Sequence, residues 1–349
     1  MYEVFLLEKE RLLPWLDDVR RGRALIGPIE EQGFPVFGEP SSTRDLRLDY
    51  GLTMMGPQTS IYRLTEKICS IRRINGTFEV DDTIGADEQL LVGVHSCDLH
   101  ALLVLDKAFL KGKVIDRNYR IRREKTIVIG YHCTSVCAQC FCASMGTGPF
   151  FGPKEGYDFL LTDLGEIYML EALGERAHKL IAPLGLHGAE ENHFRKKEAL
   201  RQRLLGQFTK RLDTSRIVEI ILRNQDHPVW RRTAEERCLS CTNCTKVCPT
   251  CFCYSTKDKG DFALKQWDRM RAKDSCQEVH FAEVHGGNFR GIRAARLRQF
   301  VTHKLATWWE QFDCFGCIGC GRCMTWCPTG IDLTHMAKEI MATEGLEMR

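Results

Sequence analysis

Two runs of four cysteines, each closing on a proline, constrain this chain more than any other feature. Cys238-x2-Cys241-x2-Cys244-x3-Cys248-Pro249 and Cys317-x2-Cys320-x2-Cys323-x3-Cys327-Pro328 share one spacing. That spacing lets three thiolates of one loop grip three corners of a four-iron cubane, while the fourth, after a helical turn, reaches the other cubane. The expected ligand sets therefore cross: Cys238, Cys241, Cys244 and Cys327 for one cluster, Cys317, Cys320, Cys323 and Cys248 for the second. The proline after each fourth cysteine turns the chain away, because it has no N–H to donate. Structural zinc is the competing reading, but zinc ribbons use two separated cysteine pairs rather than two complete runs. No CxxCH occurs, which removes covalently attached haem.

Eighteen cysteines stand among 349 residues. The N-terminus MYEVFLLEKERL lacks the basic start and unbroken apolar core of a secretory signal. The expected compartment is the reducing cytoplasm, where such a pattern reads as a metal framework rather than a disulfide one. No apolar run approaches the roughly 18 residues that span a bilayer. The formal charge of +3 is too balanced to argue for nucleic acid, and cluster loading would make it more negative.

The length suits two or three domains. A sparse cysteine group runs from Cys69 to Cys142 and a dense one from Cys238 to Cys327. Between them lie a charged helical segment, EENHFRKKEALRQRLLGQFTKRL, and SRIVEIILRN, where Ser215 is placed as the cap of a short helix with Ile217, Ile220 and Ile221 inward. The boundary falls near His227-Pro228, so residues 1–228 read as an α/β domain and 229–349 as a mainly helical, expanded two-cluster ferredoxin-like domain. In the first part, Leu90 to Val94 and Ile127 to Ile129 read as buried strands. The segment DLHALLVLDKAFL follows as a helix presenting Leu99, Leu102, Leu103 and Phe109. In the second, Leu297, Phe300, Val301, Leu305, Trp308, Trp309 and Phe312 mark one face of a helix over 290–312. Arg290, Arg293, Arg298 and Lys304 mark its other face, read as solvated or as a docking surface for an acidic partner.

Cys97 and Cys133 each follow a strand, and strand ends of an α/β sheet converge on one edge where ligands collect. Cys140 and Cys142 fold back to the same place, giving four thiolates for a third four-iron cluster. Gly146 and Gly148 would let backbone amides approach its sulfurs. Cys137 is the alternative ligand, or with Cys140 a thioredoxin-like pair; buried thiols without metal are the bland reading. His95, His100 and His132 flank the group as hydrogen-bonding neighbours rather than ligands. Cys251, Cys253 and Cys276 supply three thiols without an evident fourth, and Cys69 and Cys314 stand alone.

The run CLSCTNCTKVCPTCFCYS, the later DSC at Asp274 to Cys276 and CIGCGRCMTWCPTGID resemble the iron-sulfur beta subunit of cytoplasmic sulfhydrogenases and the A subunit of anaerobic sulfite reductase. CDLHALLVLD and CFCASMGTGP extend the resemblance over most of the chain. It implies an electron-transfer subunit of a multi-subunit oxidoreductase, between a flavoprotein that handles NAD(P)H and a catalytic subunit of hydrogenase, sulfite reductase or heterodisulfide-reductase type. Cys137 and Cys314 depart from the family pattern. A catalytic reductase of a sulfur compound is the alternative, but neither a Cys-Cys-Gly signature nor a GxGxxG after a strand is present. A zinc-stabilised nucleic-acid-binding protein is the third reading.

Overall fold

The computed structural model describes residues 1–83 and 85–344. Its largest element is a seven-stranded sheet in the order β1-β9-β8-β7-β6-β2-β3. These strands are β1 Tyr2–Glu8, β2 Ala24–Glu31, β3 Phe34–Gly38, β6 Gln89–Val94, β7 Thr126–Tyr131, β8 Phe159–Asp163 and β9 Ile167–Leu173. The four central strands β8, β7, β6 and β2 run parallel, and the flanking strands pair antiparallel.

Every residue of QLLVGV and TIVIGY is buried, as expected of parallel strands covered on both faces. Side chains alternate across the sheet. Leu90, Val92, Ile127 and Ile129 pack under Leu12, Trp15 and Leu16 of the helix Lys9–Val19. Leu91, Val94 and Val128 pack under Leu99, Leu102, Leu105 and Phe109 of the helix Ser96–Leu110. Each such side chain contributes about 1.5–3 kcal/mol by leaving water. The expected strands and the helix after β6 are therefore present, with Leu103 partly buried beside the others.

A second, four-stranded antiparallel sheet has the order β10-β11-β4-β5. Its hairpin β4 Thr65–Ile74 and β5 Thr77–Asp81 precedes residue 228, while β10 Tyr254–Gly260 and β11 Gln266–Lys273 follow it. Both sides of the expected boundary thus build one sheet. Arg271 on β11 reaches Glu66 on β4 and Asp116, and Arg122 joins Glu66 from the other side, all at low exposure. The part after 229 is accordingly mixed rather than mainly helical. Its hairpin escaped the sequence pattern because YSTKDKG is nearly all exposed, which leaves no apolar alternation to read.

Helices surround the two cysteine motifs. Ile217, Ile220 and Ile221 of the helix Ile217–Arg223 meet Trp230, Leu297, Phe300, Val301 and Ile340 in one core. Ser215 does not cap that helix; Arg216 occupies the cap position without a side-chain bond. The helix expected over 290–312 is a relay of Arg293–Thr302, a π turn His303–Thr307 and Trp308–Phe312. Lys304, four residues from both Phe300 and Trp308, is buried with them at 2 % exposure, and Trp309 is exposed, against the expectation for both.

Candidate metal centres

Cys238, Cys241, Cys244 and Cys327 line one cavity, together with Cys323, Pro328 and Ile331. The loop that carries the first three turns through left-handed Ser240 and Thr242, with φ of 52° and 69°. This geometry aims backbone amides at sulfur: Ser240 N–H donates to Cys238 Sγ at 3.4 Å, and Ile331 N–H to Cys327 Sγ at 3.3 Å. Burial first, then the thiols of Cys238, Cys241, Cys248 and Cys327, pushes the Cys244 thiol up.

The second motif repeats the design. Gly319 and Gly321 take φ of 66° and 77°, and Gly319 N–H donates to Cys317 Sγ at 3.4 Å. Cys323 is partly buried and lies among Cys317, Cys320 and Cys248, with Cys244 of the first group next. Burial pushes Cys317 up to about 12, with Cys320 and Cys248 adding to it, and Cys320 up to about 11. The crossed sets expected from the spacing are thus brought together, each fourth cysteine beside the other motif's three.

The third group forms where β6 and β7 lie parallel and adjacent. Cys97 opens the helix after β6, and Cys133 follows β7 by two residues. Cys142 is acted on by Cys140, and also by Cys97, Cys133 and Cys320. Burial raises Cys133 to about 12, with Cys140 and Cys137 adding to it and the Ser96 N–H opposing. Cys137 sits at the half-buried rim, where its carbonyl accepts from Cys140 Sγ at 3.0 Å. Gly148 packs against Cys142: a Cβ there would lie 2.7 Å from its Sγ. His95 stacks on Tyr50 at 3.9 Å, His132 on Phe150 at 4.2 Å and His100 edges Phe151. Burial holds His95 and His100 down at about 4, in the neutral form.

Among the described residues, no three His, Cys, Asp or Glu side chains converge closely enough to hold a single ion. The amides aimed at Cys238, Cys317 and Cys327 are donors of the kind that cluster-bound thiolates accept.

The second and third groups are clasped backbone to backbone. Phe141 N–H donates to Gly319 O at 2.8 Å, and Thr147 Oγ1 to Ile318 O at 2.6 Å. A Cβ on Gly321 would lie 2.4 Å from Gln139 O, and one on Gly319 2.7 Å from Cys142 N. Between the groups, fully buried Arg322 donates to both carboxylate oxygens of Asp98 at 2.7 and 2.9 Å, and to Thr53. Arg322 stands between Cys320 and Cys323, and Asp98 beside Cys97, so the pair joins the two loops.

Sequence reasoning missed this pair, although the glycines of CIGCGRC, against CLSCTNC, already mark a close approach. The spare cysteines also take places. Cys251 meets Cys248, Cys253 meets Cys276, and Cys314 lies by Lys107 and Trp308. Cys69 is on β4. Among the described residues no helix is long and apolar enough to cross a membrane.

Residues 237–331 match the family model of the 4Fe-4S dicluster domain. Over 323 residues, 92 % of either chain, the sequence is 31 % identical to the beta subunit of sulfhydrogenase 2 from Pyrococcus furiosus. No solved structure matches the chain.

Proposed function

The chain belongs to the family of the sulfhydrogenase beta subunit, and from that premise we propose that it is the iron-sulfur relay of a multi-subunit oxidoreductase. It passes electrons between a flavin and NAD(P)H subunit and a catalytic subunit, in the cytoplasm. The dicluster domain implies two [4Fe-4S] clusters. Their ligands in this reading are Cys238, Cys241, Cys244 and Cys327 for the first, and Cys317, Cys320, Cys323 and Cys248 for the second. Cys97, Cys133, Cys140 and Cys142 hold a third. The chemistry the clusters supply is one-electron transfer.

The continuity of the three groups carries this reading. Cys323 of the second lines the cavity of Cys238, Cys241, Cys244 and Cys327, and Gly319 of the second bonds Phe141 between Cys140 and Cys142 of the third. The residues form one series rather than three separate sites. Around them the protein fixes the thiols, aims amides at their sulfurs and excludes water, which are the levers that set cluster potentials. Cys241 is exposed and Leu239 beside it is 62 % exposed, so the first group reaches the surface where a partner can exchange electrons.

The test is metal analysis of chain purified without oxygen, with low-temperature spin resonance after reduction. About twelve irons with matching sulfide are expected. About eight would remove the third centre and leave the strand-end thiols structural; zinc without sulfide would overturn the relay.

A further inference from the structure

Lys304 is a buried charge that the ligand sets leave unused. Its Nζ donates to Thr250 Oγ1 at 2.7 Å and lies 4.7 Å above the Trp308 ring. Thr250 Oγ1 in turn donates to Gly316 O at 2.5 Å and lies 3.3 Å from Cys248 Sγ. The Lys304 carbonyl accepts the Cys317 N–H at 3.1 Å. One lysine therefore braces two cysteines of the second set, Cys248 through its side chain and Thr250, and Cys317 backbone to backbone.

Its charge has no carboxylate partner within ion-pairing distance among the described residues; the ammonium meets Thr250 Oγ1, which also touches Cys248 Sγ. Arg322 differs, since Asp98 meets its charge directly. A buried ammonium without a counter-charge is costly. The backbone also departs from α form at this place, because Lys304 lies in the π turn His303–Thr307. Such turns are frequent at functional positions.

We propose that Lys304 is a positioning residue whose ammonium is the fixed counter-charge of the cluster held by Cys248, Cys317, Cys320 and Cys323, and that it raises the reduction potential of that cluster. Reduction makes the cluster and its four thiolates one charge more negative, and a nearby cation favours that state. The second cluster thereby becomes a place where an electron rests between its neighbours. This inference rests on the ligand assignment proposed above.

The experiment compares Lys304→Met and Lys304→Arg in the full chain, loaded without oxygen and titrated reductively under spin resonance. In Lys304→Met one cluster should become harder to reduce by about tenfold, 59 mV for a one-electron couple, while the others stay. Lys304→Arg should keep most of the parent value. Unchanged potentials in a fully loaded Lys304→Met chain would overturn the proposal. Should Lys304→Met not load, a loaded Lys304→Arg chain at the parent potential supports a role for charge, and failure of both variants shows a packing role and overturns it. A parent chain without iron and sulfide would instead defeat the ligand assignment.

Discussion

In the loop Cys238–Cys244, Ser240 and Thr242 adopt left-handed backbone; in the loop Cys317–Cys323 the matching positions are Gly319 and Gly321. Conformation alone does not demand the glycines, since Ser and Thr hold the same turn next door. The neighbours differ. The second loop lies against the backbone of Gln139 to Cys142, with no room for a Cβ. The first loop presents Leu239 and Cys241 to solvent. The position of Arg322 is taken in the first loop by exposed Asn243, which donates only to Trp326 O at 3.1 Å. One fold of loop thus takes two settings: one copy is sealed inward against a third group of thiols, and the other is open to solvent.

Gly321→Ala should break this comparison most severely. The added methyl meets backbone atoms that cannot swing away, and φ of 77° disfavours any Cβ. We expect a loss on the order of 4–6 kcal/mol from strain and overpacking together, read by denaturant unfolding of the loaded chain. Thr242→Gly in the other loop should change stability by less than about 1 kcal/mol. Comparable losses in both would show that turn conformation, not the seam, selects glycine. Asp98→Ala comes next, because it strands Arg322 in the interior, at a cost of about 3–5 kcal/mol. Asn243→Ala should cost about 1 kcal/mol or less, and equal costs would deny the buried pair its role in joining the loops.

These asymmetries explain what could be read in advance. The cysteine spacing alone suggests the crossed sets, because a cubane needs thiols from a short loop and local spacing survives in sequence. Cys97 and Cys133 were legible through topology: two apolar runs implied parallel strands, and parallel strands place their ends together. Lys304 was assigned to the outer face by its charge, although it stands four residues after Phe300 and four before Trp308, on the apolar stripe. The pairing of Asp98 with Arg322 joins residues far apart in the chain, and no local pattern announces it. The hairpin Tyr254–Lys273 was hidden by its charged, exposed surface.

The cysteines themselves sharpen the contrast with a smaller effect on the fold. Cys320→Ser should remove about four irons and also alter the spectrum of the proposed third centre, since the neighbouring Gly319 bonds Phe141 between Cys140 and Cys142. Cys241→Ser, at the exposed end, should cost the first cluster alone and leave that spectrum as it was. If both variants disturb the third centre alike, the three groups do not form an ordered series.

Thr242 offers the mildest and most discriminating change. It is 3 % exposed, lies in the wall of the cavity shared by Cys238, Cys241, Cys244 and Cys327, and its Oγ1 has no hydrogen-bond partner among the described residues. A buried hydroxyl left unsatisfied is costly by about 1–3 kcal/mol, so the group makes sense if a cluster sulfide accepts from it. Gly321, its counterpart, has no such donor to give the second cluster. Thr242→Val in the loaded chain should therefore cost about 1 kcal/mol and make the first cluster harder to reduce, with Thr242→Ser restoring both. The sign decides the matter: if valine leaves the loaded chain equally or more stable, the hydroxyl was unsatisfied all along. The difference between the two loops would then be one of packing only.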